Sequence, residues 1–153
     1  MPIDISKFTL PELLKHISDL PAAKRAPALK EISTLRPAVR DVMKLVYHKN
    51  IEFDLPKGAP PFKPLDMPGN WGYNRLPKEI RKFNYFIKGI PNNLTKIQKE
   101  KIFIEVLESV SPEEAKLVLE IKEKKLSYKG INRKLAEEAI PEIFSGETTK
   151  ENV

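Results

Sequence analysis

The sequence predicts an all-α protein, a compact multi-helix domain of about six or seven short helices that carries one long Pro-rich loop. Three observations predict it. Helix-start signals recur along the chain. Apolar residues repeat at three and four positions and not at two. The residues that break helices gather in one stretch, 47–75.

Thr9-Leu10-Pro11-Glu12 begins the first helix, a hydroxyl cap followed by Pro in the first turn, and Leu13, Leu14 and Ile17 form its apolar stripe. Pro21 opens a second helix with Leu29 and Ile32 inward, although Pro27 falls in its interior, where proline removes a hydrogen bond. Ser33 or Thr34 is the expected cap of a third, with Pro37 near its first turn and Val39, Val42, Met43 and Val46 on its inner face. In 47–75, Pro56, Pro60, Pro61, Pro64 and Pro68, with Gly58, Gly69 and Gly72, exclude a regular helix. Ile51-Glu52-Phe53 reads there as a short extended piece. A loop of this length in a small domain is either functional or packed across the surface.

Pro77 begins a fourth helix, with Ile80, Phe83 and Phe86 or Ile87 inward, and Gly89 and Pro91 end it. Leu94 and Thr95 start a fifth, with Ile97, Phe103, Val106, Leu107 and Val110 expected on its inner face. Ser111-Pro112-Glu113-Glu114 is a cap, a proline and a capping-box glutamate; Ala115, Val118, Leu119 and Lys122 continue that helix. After a basic connector from Lys124 to Gly130, Leu135, Ala136 and Ala139 mark a last helix closed by Pro141. The expected organisation is one helical domain, 1–144, and a flexible polar tail, 145–153.

With 153 residues the chain suits a single domain, and with no cysteine it has neither disulfides nor thiolate metal ligands. Its start, Met1-Pro2-Ile3-Asp4, does not read as a signal peptide, and no apolar run approaches a membrane span, so the expected location is the cytoplasm. The net charge of +6 is unevenly spread. Residues 1–74 carry 11 basic and 8 acidic side chains, 75–101 carry 8 and 2, and 102–153 carry 8 and 11. The middle stretch alone supplies an excess equal to the whole net charge.

Catalytic patterns are missing. The two histidines, His16 and His48, are expected on helix surfaces and do not make a zinc set. Phosphate loops, dinucleotide fingerprints and nucleophile elbows do not occur. Glu113-Glu114 and Glu137-Glu138 read as helix-start and surface charge, because neighbours on a helix point different ways. No cofactor and no metal is expected.

Two basic elements remain. One is the fourth helix with its flanks, Arg75, Lys78, Arg81, Lys82, Lys88, Lys96, Lys99 and Lys101. The other is the connector, Lys122, Lys124, Lys125, Lys129, Arg133 and Lys134. Trp71, Tyr73, Tyr85 and Tyr128 lie near them. Ser127 to Lys134 combines cations, hydroxyl and amide donors and Gly130, a residue that permits close backbone approach, which is the chemistry a phosphate needs.

The layout resembles a family of small uncharacterised proteins of large tailed, marine-type phages. The matching pieces are Leu55-Pro56-Lys57-Gly58-Ala59-Pro60-Pro61-Phe62, Phe83-Asn84-Tyr85-Phe86-Ile87-Lys88-Gly89, Lys99 to Glu108, Ala115-Lys116-Leu117-Val118-Leu119, and Lys124 through Gly130 to Pro141. That family implies no activity. The order of features is also similar to the N-terminal helical DNA-binding domain of ATP-dependent DNA ligases. Met43-Lys44-Leu45-Val46-Tyr47 echoes an early helix of that domain. Leu126-Ser127-Tyr128-Lys129-Gly130-Ile131 echoes its late turn with one extra residue, and Ala139-Ile140-Pro141 follows. This likeness implies a sequence-tolerant grip on the duplex backbone, with Ser127, Lys129, Gly130, Asn132, Arg133 and Lys134 on phosphates. The adenylation motif is absent, so no AMP-accepting lysine is implied, and the Pro-rich 55–68 segment departs from the ligase domain.

The expectation is therefore a non-enzymatic protein that binds duplex DNA through Lys124, Lys125, Ser127, Lys129, Gly130, Asn132, Arg133 and Lys134, together with Arg75, Lys78, Arg81 and Lys82. The alternative is a module that binds a phage or host replication or transcription protein through Phe62, Trp71 and Tyr73, although Phe53 and Trp71 also suit a role pinning the loop to the core. A structural role in a virion is a third.

Overall fold

The computed structural model describes residues 8–63, 76–89 and 93–145. Helices are α1 (Leu10–Asp19), α2 (Ala22–Leu35), α3 (Pro37–Tyr47), α4 (Leu76–Glu79), α5 (Lys96–Ser109), α6 (Pro112–Lys122) and α7 (Arg133–Ala139). Two 3-10 segments follow α4 and α7, at Ile80–Phe86 and Pro141–Phe144. Among the described residues the only extended pairing is an antiparallel bridge between Phe53 and Ile87, so the domain is all-α.

The cap signals at Thr9, Thr95 and Ser111 form as read. Thr9 accepts from the Glu12 amide while the Glu12 carboxylate accepts from the Thr9 amide, and Thr95 with Gln98 repeats this reciprocal box. Ser111 pairs with Glu114 in the same way, but Glu114 is no surface charge. It is fully buried, and its Oε2 also accepts from the Leu76 amide at 2.8 Å, tying the start of α4 to the start of α6. His48 is likewise buried and not on a surface, capping the end of α3 with Nδ1 accepting from the Asn50 amide.

Three helix expectations need correction. Ser33 and Thr34 cap nothing; both lie inside α2, where the Thr34 hydroxyl donates back to the Lys30 carbonyl. The break between α2 and α3 comes from Pro37, which drives Arg36 out of helical geometry (φ −128°, ψ 85°). The fourth helix is α-helical for one turn only and then tightens into a 3-10 segment. Its apolar side chains Ile80, Phe83 and Phe86 are three residues apart, a spacing that aligns on one face at three residues per turn. Ile97 is 80% exposed and not inward. Six residues turn an α-helix through about 600°, so Ile97 cannot share the stripe of Phe103. Lys99 occupies that stripe instead, its ammonium reaching Asp54 at 3.0 Å.

The helices pack around one core. α2 lies against α1, α3 and α7, α3 against α6 and α7, and α5 against α6 and the first 3-10 segment. Phe83, Phe86 and Phe103 meet edge to face at 5.7–6.3 Å between ring centroids, and Phe53 of the loop joins Phe83 at 5.5 Å. Residues 48–63 thus form a strap across the domain. Beyond Phe53, the strap is held by Asp54–Lys99, by the Gly58 amide on Glu123 and by the Lys63 amide on Glu108. Pro64, Pro68, Gly69, Gly72, Trp71, Tyr73, Arg75, Pro91 and the tail beyond Ser145 lie outside the described residues.

Candidate nucleic-acid interface

The connector between α6 and α7 is built as a braced turn. Lys124, at φ 57°, turns the chain after α6. Tyr47 donates its hydroxyl to the Ile131 carbonyl at 3.2 Å, and Ser18 donates to the Lys129 carbonyl at 2.7 Å. Burial, with Glu120 nearby, pushes the Tyr47 phenol up to about 12, so it stays a donor throughout the neutral range. Gly130 adopts φ 79°, and the space a Cβ would take is filled by the Arg25 guanidinium, whose NH2 donates to the Ser18 carbonyl at 3.2 Å. The close approach that a glycine permits is thus used by Arg25 of α2 and not left open to a ligand.

The predicted contact residues divide. Lys124 points inward, its ammonium shared between the His48 carbonyl (2.7 Å) and that of Ile51. Lys122 is buried and holds the Gly58 carbonyl and Glu123. Arg133 donates to the Tyr47 carbonyl at 2.6 Å, pairs with Glu137 and lies over the Phe144 ring at 4.3 Å. Ser127 spends both its amide and its hydroxyl on Glu120. Asn132 caps α7 through its carbonyl oxygen. These residues shape the turn. Lys125, Lys129 and Lys134 are exposed, with no ion-pair partner among the described residues.

In the other basic element, Lys78 and Arg81 are exposed, whereas Lys82 is half-buried and paired with Glu79 at 2.7 Å. Arg75 lies outside the described residues. The two elements meet at His48 and Ile51, whose carbonyls hold Lys124 and whose side chains, with Arg81, line one groove. Of the residues expected in a protein-binding loop, Phe62 is half-buried against the core, and Trp71 and Tyr73 lie outside the described residues. Sequence reasoning missed Ser18, Arg25, Tyr47 and Glu120 as the turn's supports. Ser18, Arg25 and Tyr47 are far from it in sequence, marked only by their hydroxyl and guanidinium groups, and Glu120, seven residues before Ser127, reads like one more helix-surface carboxylate.

Among the described residues no three His, Cys, Asp or Glu side chains group as metal ligands, and no helix is long and apolar enough to cross a membrane. A family model described as Family of unknown function (DUF6433) matches residues 15–128. No curated protein and no solved structure matches the chain.

Proposed function

Since the chain belongs to that family of unknown function, whose description carries no activity, we propose that it is a non-enzymatic accessory of DNA metabolism, phage-encoded, that grips the backbone of duplex DNA without strong sequence preference. One observation supports this above the others: the braced turn uses Lys124, Arg25 and Arg133 as internal struts, Lys122 is spent on the strap, and Lys125, Lys129 and Lys134 are left in solvent. Cations carried on a stiff turn lose less freedom when they neutralise phosphates than cations on a mobile one. Phosphate contacts alone give affinity without base readout. The turn is also where the ligase-domain likeness puts its backbone contacts. Lys78 and Arg81 add to the positive field.

Fluorescence anisotropy with a labelled intact duplex, a nicked duplex and a single strand, across a salt series, tests this. Duplex binding of about micromolar strength that weakens steeply with salt is expected. Changing Lys125, Lys129 and Lys134 together to Ala should reduce the log–log salt slope by about 2.7, three contacts at about 0.9 each. Affinity indifferent to salt, or a triple variant that binds as the unaltered protein does, overturns the proposal.

A further inference from the structure

A groove of about 390 Å³ lies between α3 and the first 3-10 segment, within the range of small-ligand sites, about 300–1,000 Å³. Its floor is aliphatic, Leu45, Ile51, Ile80 and Ile87, and its rim carries Lys44, Arg81 and Asn84. His48 also lines it. Because His48 Nδ1 accepts from the Asn50 amide, the proton of the neutral ring sits on Nε2. None of Lys44, Arg81, Asn84 or His48 Nε2 has a hydrogen-bond or ion-pair partner among the described residues. The one acid of the rim is Asp41, whose carboxyl is pushed above its ordinary range by burial, against the pull of Arg40, Lys44 and Arg81.

Four donor groups around an aliphatic floor suit a ligand with a flat apolar body, acceptors on its edge and a negative charge. An acyl carboxylate would satisfy the cations but leave Asn84 and His48 without use. A nucleotide uses all of them. The groove also abuts the braced turn, since the carbonyls of its His48 and Ile51 hold Lys124. We propose that this groove holds the unpaired terminal nucleotide of a strand whose duplex lies on the 125–134 turn. The base sits on the aliphatic floor with its edge acceptors against the Asn84 amide and His48 Nε2, and the phosphate sits between Lys44 and Arg81. The protein would then be a reader of duplex ends and junctions. This rests on the duplex binding proposed above.

The test compares labelled hairpin duplexes with a blunt end and with a short single-stranded overhang. The overhang should bind about fivefold to tenfold tighter, the low end of what a base stacked on an aromatic ring contributes, because the floor here is aliphatic. Changing Lys44 and Asn84 together to Ala should abolish that preference while blunt-duplex affinity stays within about twofold, with far-ultraviolet circular dichroism confirming that the variant is folded. Free dAMP should erase the preference and inorganic phosphate at equal concentration should not. Equal binding of blunt and overhanging duplexes, or a preference that survives in the variant, overturns the groove assignment and leaves duplex binding standing. So does a variant that loses both duplexes equally. Failure to bind any duplex removes both proposals.

Discussion

Replacing Gly130 with Ala tests the braced turn at its tightest point. The residue sits at φ 79°, a region that costs an L-residue roughly 1–2 kcal/mol. The new Cβ would collide with the NH1 of Arg25 and stand 2.6 Å from its guanidinium carbon, closer than any stable contact. Arg25 is flexible, so it would swing away rather than displace backbone. In doing so it loses the hydrogen bond to the Ser18 carbonyl, about 1–2 kcal/mol for a partly exposed charged donor. The expected loss is therefore about 2–4 kcal/mol, read by urea denaturation with an unchanged slope. Arg25→Ala alone should cost about 1–2 kcal/mol. In the double variant only the backbone cost of Gly130→Ala should be added, a coupling of about 1–2 kcal/mol between the two sites. Strictly additive losses, or a Gly130→Ala cost below about 0.5 kcal/mol, would refute both the packing of Arg25 on Gly130 and the stiffness attributed to the turn.

Other outcomes follow from single contacts. Glu114→Ala should destabilise by about 2–4 kcal/mol in the same urea assay, because it strands the buried Leu76 amide and removes the Ser111 box; a loss below about 1 kcal/mol would mean that water replaces the carboxylate. Phe83→Ala empties the centre of the four-ring cluster and should cost about 3–5 kcal/mol. Ile97→Lys should leave stability within about 0.5 kcal/mol, since the side chain already faces water. Asp54 is held below the ordinary carboxylate range, chiefly by the hydrogen bond from Lys99. A depressed folded pKa contributes stability that is present above the unfolded value and lost as pH falls through the folded one. The gap in urea midpoint between the unaltered protein and Asp54→Asn should therefore be full near neutrality and close below about pH 4; a gap that does not change with pH would show that the ion pair is not its source.

Much of the fold was legible because it is written locally. A cap with its box partner, as at Thr9–Glu12 and Ser111–Glu114, needs only four consecutive residues, and the stripe of Val39, Val42, Met43 and Val46 needs only one helical period. The errors came where distant residues decide. Ile80, Phe83 and Phe86 fit either a 3-10 or an α-helical spacing, and packing on Phe103 and Phe53 accompanies the tighter one. Glu114 and Lys99 have side chains that a local reading puts in water, and each is buried because a partner from another element, Leu76 or Asp54, satisfies it; His48 is buried with its ring on the nearby Asn50 amide and its carbonyl held by the distant Lys124.

The same division holds for the candidate interface. The sequence by itself determined that cations and a glycine collect between α6 and α7, because composition along a chain is a local property. Only the tertiary structure decided which of those cations remain available. Lys124 meets the carbonyls of His48 and Ile51, Arg133 meets that of Tyr47, and Arg25 arrives from α2 to fill the space over Gly130. A charge is free for a ligand only when no internal acceptor has claimed it, and the acceptors here come from residues up to 86 positions away in the chain.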